Sequence, residues 1–581
     1  MCGIAGLVGP GWSRRQLDAM VSTQAHRGPD ASGTYISTTG IAGLGHNRLS
    51  IIDLSDAGRQ PMKDASGRHW IVFNGEIYNY LELRAELESS WQFRTRTDTE
   101  VLLAAYVRWG EACLDRLIGM FAFIVWDDSE QRLFGARDRF GVKPLHMHRA
   151  PNGGLWVASE IKALHAAGVS REPDECAWAA YFTSGAYDHD TRTFWKGIRR
   201  LPPGGCFTWS PGQGLRERIW YDVSARTLGQ GMDERDEETV GEELLALLDD
   251  SVKLRFRSDV PVGICLSGGL DSSLLLGLVH RLQGAGSAVK TFTFFCGDPN
   301  YDETPWVEQM LSATRHPACY CRLNVEEVPE LSARVQGFQD EPFGGVPTLG
   351  MAKVHERARA EGVTVLLDGN GVDEGWGGYE YYQRARTVDA ASGPVQGARD
   401  RSTRPDCLAA EFGAEAEKLA IPRPFSDPLR DLQYRDIRFL KIPRAMRFAD
   451  RVSMMFSREL REPFLDHRII ELGLRQPEDR KTRGGVGKWL PRRVAQQILP
   501  DAVREAPKRP VQTPQREWLR GPLREWANGC IETALSRRGG AWLESTAVRK
   551  AWQDYCAGAG DNSFFIWQLI SLALADRAGA S

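Results

Sequence analysis

Between Val260 and Leu276 the chain passes from a short apolar run, Val260-Pro261-Val262-Gly263-Ile264-Cys265-Leu266, through Ser267-Gly268-Gly269 into Leu270-Asp271-Ser272-Ser273. Leu274-Leu275-Leu276-Gly277-Leu278-Val279 follows. The first run suits a buried parallel strand and the last a buried helix. The small residues between them permit a tight strand-to-helix turn. Free backbone N–H groups and the positive end of the helix dipole then converge where an anion can sit. No Gly-Lys-Ser/Thr is present, so this is not the usual nucleoside-triphosphate loop. Its cation has to come from a metal or from elsewhere in the chain, and Asp271 is placed to hold a metal. For Ser-Gly-Gly taken alone, a tight turn with no ligand explains the pattern equally well.

The full string Leu266-Ser267-Gly268-Gly269-Leu270-Asp271-Ser272-Ser273 is more specific. It resembles the pyrophosphate-loop motif of the ATP pyrophosphatases, which cleave ATP between its α and β phosphates. Val289-Lys290-Thr291-Phe292-Thr293-Phe294-Phe295 predicts a second buried strand, and Val363-Thr364-Val365-Leu366-Leu367 a third. Alternating strands and helices imply a doubly wound parallel sheet that binds ligands at the carboxyl ends of its strands. The third strand runs into Asp368-Gly369-Asn370-Gly371-Val372-Asp373-Glu374. Asp271 and Asp373 thus fall at strand ends, and two carboxylates facing a triphosphate suit Mg²⁺. Helix-capping aspartates are the alternative.

At 581 residues the chain should hold two or more domains. Its 73 basic residues nearly balance 76 acidic ones, which gives no global pull toward nucleic acid or an anionic membrane. The Arg480 to Arg483 cluster reads as a solvated face. No apolar run reaches bilayer length; the longest, Phe564 to Ala575, is interrupted by Gln568 and Ser571. No signal peptide is visible. Eleven scattered Cys, an odd number, fit reduced thiols and a cytoplasmic protein. Cys319-x-Cys321 has the wrong spacing for zinc and no companion pair.

The chain opens Met1-Cys2-Gly3-Ile4-Ala5-Gly6. If Met1 is removed, Cys2 carries a thiol and a free α-amine whose ordinary pKa lies near neutrality. Nucleophile and base then share one residue. A lone Cys2 would read instead as a small hydrophobe starting a strand. Downstream come His26-Arg27-Gly28-Pro29-Asp30, His46-Asn47-Arg48-Leu49-Ser50-Ile51-Ile52-Asp53, Phe73-Asn74-Gly75-Glu76-Ile77-Tyr78-Asn79 and Arg96-Thr97-Asp98-Thr99-Glu100. With Cys2, these four motifs resemble the class II glutamine amidotransferase domain, an N-terminal-nucleophile hydrolase, over roughly residues 2–200.

The resemblance implies that the Cys2 thiolate attacks the side-chain amide of glutamine. The Asn74 amide and the Gly75 N–H would stabilise the oxyanion. Glutamine would lie against Arg48, Leu49, Ser50, Ile51, Ile52, Asn74, Gly75, Glu76 and Asp98. Arg48 would fork onto its α-carboxylate and Asp98 would pair with its α-ammonium. Absent the resemblance, Arg48 and Asp98 read as surface charges.

Trp70–Phe73, Met120–Trp126, Arg132–Asp138 and Leu155–Ser159 read as strands. Asn79–Leu87 and Asp98–Trp109 read as helices, the second opening on an Asp/Thr cap. Sheets covered by helices agree with the four-layer αββα arrangement of that hydrolase family. Leu201-Pro202-Pro203-Gly204-Gly205 is a turn or linker signal. The expected division is a glutaminase domain over 2–205, a linker over 206–239 and an ATP pyrophosphatase domain over 240–581. The last is an α/β doubly wound sheet with a helical extension from about 385 that wraps the ATP site.

Phe448-Ala449-Asp450-Arg451-Val452-Ser453-Met454, Glu459-Leu460-Arg461-Glu462-Pro463-Phe464-Leu465-Asp466, Gly487-Lys488-Trp489-Leu490 and Pro507-Lys508-Arg509 follow in order. With the earlier motifs they resemble the glutamine-dependent asparagine synthetases over nearly the whole chain. That resemblance implies an ATP site of Leu266, Ser267, Gly268, Gly269, Asp271, Ser272, Ser273, Phe294, Asp368, Gly369, Lys488 and Lys508. Mg²⁺ would lie at Asp271 and Asp373, and the acceptor near Asn370 and Asp373. Lys488 and Lys508 would face the departing pyrophosphate. The implied partners are glutamine, ATP and a carboxylic acid, and a homodimer is compatible with this reading.

Two departures concern the acceptor. The family reads Ser-Gly-carboxylate-Gly where this chain has Asp368-Gly369-Asn370-Gly371, and Asn accepts no proton at neutral pH. Asp368 is an extra carboxylate two residues earlier. The loop Gly344-Gly345-Val346-Pro347-Thr348 is also about two residues short of the family's usual length. Three readings stay open: aspartate as acceptor, another carboxylic acid in a specialised pathway, or a catalytically silent homologue with a binding or regulatory role.

Overall fold

The computed structural model describes residues 1–284, 286–384, 403–417, 419–507 and 513–580. The first half contributes strands β1 (Gly3–Val8), β2 (Ala31–Ile36), β3 (Ala42–Arg48), β4 (Met62–Lys63), β5 (His69–Ile77) and β6 (Gly119–Asp127). It continues with β7 (Arg132–Arg137), β8 (His146–Arg149), β9 (Leu155–Ala158), β10 (Ile198–Arg200), β11 (Gly205–Ser210) and β12 (Gly214–Ile219). They form two antiparallel sheets, ordered β10-β8-β9-β1-β3-β2 and β12-β11-β7-β6-β5-β4.

Strand alternation decides which layer each side chain enters. On β5, Val72 joins Ile4, Leu44 and Ile124 between the sheets, while Ile71 and Phe73 pack outward. Outward means against helices Tyr80–Leu87 and Asp98–Trp109, through Leu83, Val101 and Leu102. On the other side, helix Arg14–Thr23 lays Leu17, Met20 and Val21 on the outer face of β1. The layers are therefore αββα, as expected.

The linker expected over 206–239 is corrected. β11 and β12 occupy its first half as an edge hairpin of the second sheet. Cys206, Phe207 and Trp209 of β11 are buried in the sandwich cores. Gly204, at φ +63, makes the turn into β11 rather than a hinge between domains. Helix Val223–Leu228 follows, and helix Glu237–Arg255 starts inside the remaining stretch, capped by Asp236. Only about residues 229–236 are left as connection.

The second half is built on β13 (Val262–Cys265), β14 (Thr291–Phe295), β15 (Ala318–Arg322), β16 (Val365–Leu367) and β17 (Glu459–Arg461). All pair in parallel, in the order β15-β14-β13-β16-β17. The chain runs outward from β13 to β15 and then crosses back to β16. The gap between β13 and β16 is therefore the topological switch point of this sheet. Helices Val328–Gln339, Arg524–Arg538, Ser545–Cys556 and Ser563–Ala580 gather around a large apolar core. Tyr181 and Phe182 reach that core from helix Glu175–Ser184 of the first half. Within the run Phe564–Ala575, buried Gln568 donates to the Tyr181 carbonyl. Among the described residues no helix is long and apolar enough to cross a membrane.

Buried ion pairs join the halves. The Arg27 guanidinium donates through Nη1 to Glu160, 2.8 Å, and to Asp450, 2.9 Å, and through Nη2 to Asp450, 3.1 Å. Its Nε donates to the Cys2 carbonyl at 2.9 Å. Arg447 reaches Asp188 at 2.8 Å, and Arg200 reaches Glu341 at 2.8 Å.

Candidate active sites

The first candidate site lies where β1, β3 and β5 come together. Cys2 is buried, its backbone N–H donates to Asn74 Oδ1 at 2.9 Å, and its Sγ lies 4.0 Å from the Leu49 carbonyl. Asn74 is fully buried, yet its Nδ2 has no hydrogen-bond partner among the described residues. An orphan buried donor costs about 1–3 kcal/mol, so it marks a place where an acceptor is expected. Gly75 has φ +155, and a Cβ there would lie 2.0 Å from the Met120 carbonyl. Only Gly lets β5 pass β6 so closely. Burial pushes the Cys2 thiol up, while the chain's terminal ammonium and Arg48 pull the other way.

Met1 is buried among Leu49, Ile51, Ile52, Val365 and Met454. Its ammonium lies 3.1 Å from Glu459 of β17. Hydrolysis of the Met1–Cys2 peptide bond would release Met1 and free the α-amine of Cys2 itself. Arg48 donates to the carbonyls of Ser55, 2.7 Å, Ile52, 3.3 Å, and Asp53. Its fork thus holds the 52–55 loop, an arrangement the motif alone does not reveal. The Ser50 N–H donates to Asp30 at 2.7 Å and fixes the other end of that segment.

Glu76 and Asp98 converge with Glu459 and Arg461 of the second half. Asp98 accepts from the Ile77 N–H at 2.9 Å, and Arg461 lies 3.6 Å from Glu76 and 2.6 Å from Glu459. Burial first, then Glu459 and Asp98, push the Glu76 carboxyl well above its ordinary value. Burial likewise pushes Asp98 up to about 7. Glu459 and Arg461 lie in the Glu459–Asp466 motif, but nothing local in the sequence assigns them to the neighbourhood of Cys2.

The second candidate site is the switch point. β13 ends at Cys265, and the turn passes Gly268 at φ +72 into helix Leu270–Gln283. No side chain caps that helix. The Ser267 N–H donates to Ser272 Oγ at 3.1 Å, and Ser272 Oγ donates to the Gly269 carbonyl at 3.2 Å. Ser273 Oγ is buried with no partner among the described residues. Gly369, after β16, packs on this turn; a Cβ there would meet the Ser272 nitrogen at 3.1 Å.

Asp271 and Asp373 are brought together by Lys488. Its Nζ lies 2.7 Å from both Asp271 oxygens and 2.6 Å from Asp373 Oδ1. Burial works against the ammonium, but the two carboxylates outweigh it and hold Lys488 above its ordinary value. Phe294, on β14, packs its ring against Gly350. Lys508 lies outside the described residues. Asn370 is half-buried and donates to Asp368 at 3.0 Å and to Glu462 at 3.3 Å.

Family models match both halves: one described as a glutamine amidotransferase domain covers residues 1–221, and one described as asparagine synthase covers residues 243–577. The first half is thus a glutamine amidotransferase domain built as an αββα sandwich, with Cys2 beside its orphan amide donor. Glutamine-hydrolyzing asparagine synthetase 1 of Bacillus subtilis strain 168 is 30% identical, covering 96% of this chain and 92% of that protein. Asparagine synthetase 3 of the same strain is 30% identical, covering 93% and 92%. Amidase chry2 of Gibberella zeae is 28% identical, covering 90% of each chain. The chain belongs to the glutamine-dependent asparagine synthetase family. It is a carbon–nitrogen ligase that uses ATP and takes its amide nitrogen from glutamine.

Proposed function

We propose that Cys2 hydrolyses glutamine and that the released ammonia amidates a carboxylate adenylated at the switch point, with aspartate the leading acceptor. The observation that carries this is Asn74 Nδ2, a buried donor left open beside Cys2. As the thiolate adds to the glutamine amide, charge builds on oxygen, and Asn74 with the Gly75 N–H would receive it. Asp98 and Glu76 would hold the α-ammonium. At the second site the uncapped helix start would receive the phosphates. A carboxylate oxygen attacks the α phosphorus of ATP and pyrophosphate departs toward Lys488. Asp271 and Asp373, with phosphate oxygens, would hold Mg²⁺, which supplies charge neutralisation for the triphosphate. Two carboxylates at one strand-end cleft fit that role. Eleven free thiols favour a cytoplasmic setting.

A second reading, amidation of a different carboxylic acid, is favoured by Asn370. It stands between two carboxylates, the half-buried Asp368 and the buried Glu462. Such a pocket disfavours the extra α-carboxylate of aspartate. Amidase chry2 is also named for another activity. Pyrophosphate release with glutamine, Mg·ATP and a panel of acids including aspartate separates the readings. Release with aspartate and formation of asparagine supports the first; release with another acid alone supports the second. No release and no glutaminase activity would sink both.

The glutamine pocket has a pH signature. A carboxyl raised from 3.8 to about 7 costs the empty fold stability as pH climbs through that range. A bound ammonium favours the ionised form and relieves that cost. KM for glutamine should therefore rise severalfold as pH falls from about 8 to about 6. Asp98→Asn should raise KM at the higher pH and flatten the profile. A level KM in the parent enzyme would remove Asp98 from ammonium binding.

A further inference from the structure

We propose that Glu462, held beside Asp368 by the amide of Asn370, accepts the proton released when ammonia displaces AMP from the acceptor's acyl-adenylate. This rests on the adenylation reading above. In that step the ammonia nitrogen forms a bond to the acyl carbon and the acyl C–O bond to phosphate breaks. AMP leaves with that electron pair. The nitrogen, positively charged after addition, has to lose one proton to become an amide, and a base at the acyl carbon must take it. Asn370 cannot do so.

The placement follows from the sheet. Asp368 follows β16 and Glu462 follows β17, and Leu367 lies beside Arg461 in the parallel register. Both carboxylates therefore stand at the same sheet edge as the pyrophosphate loop. Gly369, between Asp368 and Asn370, packs against Asp271 and Ser272 of that loop. A carbonyl attached to the α phosphate would thus sit near this edge.

The groups around Glu462 suit a proton acceptor. Asn370 Nδ2 donates to Asp368 Oδ2 at 3.0 Å and to Glu462 Oε1 and Oε2 at 3.3 and 3.4 Å. Asp368 also accepts from the Gly369 N–H at 2.7 Å; burial raises its carboxyl above the ordinary value, and the Gly369 and Asn370 donors offset part of that rise. Glu462, 3% exposed, accepts from the Asn370 side chain at these longer distances and also from the Asn370 backbone. Its oxygens keep capacity for a proton. Burial and the Asp368 charge push the Glu462 carboxyl well above its ordinary value, which makes it a stronger base than an exposed carboxylate. Lys143 and Cys265 are further titratable groups that interact with it. Lys143, from the first half, donates to the Leu460 carbonyl at 3.3 Å and partly offsets the negative pair. The Cys265 thiol, at the end of β13, is pushed up by burial and by both carboxylates, so it stays neutral.

The test separates adenylation from amidation. With an acid that supports ATP–pyrophosphate exchange in the parent, Glu462→Gln should retain exchange within about threefold and lose about 10²-fold or more in amide formation from ammonium chloride. Hydroxylamine, a weaker base whose adduct sheds its proton more readily, should restore part of that loss. Glu462→Asp should retain more amidation than Glu462→Gln. Glutaminase activity at Cys2 reports that each variant is folded. Exchange and amidation falling together, or amidation unchanged, would overturn the role of Glu462. A parent that exchanges pyrophosphate with no acid would overturn the adenylation reading instead. Should Glu462→Gln lose its glutaminase as well, Glu462→Asp carries the test. It draws the carboxylate back by one methylene and must show a selective loss of amidation, and an unchanged ratio of amidation to exchange would overturn the proposal.

Discussion

Cys2→Ala should lose glutamine-supported amide formation by three orders of magnitude or more, while ammonium chloride still supports it at close to the parent rate. The expectation follows from the separation of the two sites. Cys2 stands at the start of the αββα sandwich, and its Sγ touches the Leu49 carbonyl at 4.0 Å. Lys488, Asp271 and Asp373 stand together on the parallel-sheet half. A missing thiol removes the nucleophile that makes ammonia and leaves the groups that would activate the acceptor in place. The paired measurement is glutamate release and amide formation with each nitrogen donor. Loss with both donors would contradict two separable sites.

Lys488→Ala should abolish pyrophosphate exchange to a depth of about 10²–10³-fold, roughly 3–4 kcal/mol. Two effects act together. The departing pyrophosphate loses an ammonium, and the half-buried Asp271 and Asp373 lose the cation they share. Lys488 itself sits at φ +56, a conformation in which its neighbours hold it at some cost. Lys488→Arg should not rescue the variant, because a forked, bulkier cation does not fit where a point charge meets three oxygens. The glutaminase half should be untouched. A variant that exchanges pyrophosphate at the parent rate would remove Lys488 from the nucleotide site.

Much of this architecture was legible from local pattern. Helix Asp98–Trp109 was readable to its ends because Thr97 caps it and Gly110 stops it. The switch-point turn was readable because strand, small residues and apolar helix lie within one short string. β12 was not. Its Arg216, Glu217 and Arg218 look like a solvated loop, and charged residues are what an edge strand carries. The Gly- and Pro-rich turn before β11 looks like a linker for the same local reason. Arg48 illustrates a different limit. Its type announces a forked donor, but only the folded loop shows that three backbone carbonyls take it. Asn370 and Glu462 lie 92 residues apart, and only the parallel pairing of β16 with β17 makes them neighbours.

The seam at Arg27 bears on how such enzymes can be rebuilt. One guanidinium holds the Cys2 carbonyl, Glu160 of its own half and Asp450 of the other. Arg451, next in the chain, returns to Glu160 at 3.1 Å. A chimera that grafts a foreign glutaminase module onto this ligase would therefore inherit half of a buried charge network. Unless Asp450 and Arg451 are exchanged along with it, the graft would leave unpaired ions beneath the new nucleophile.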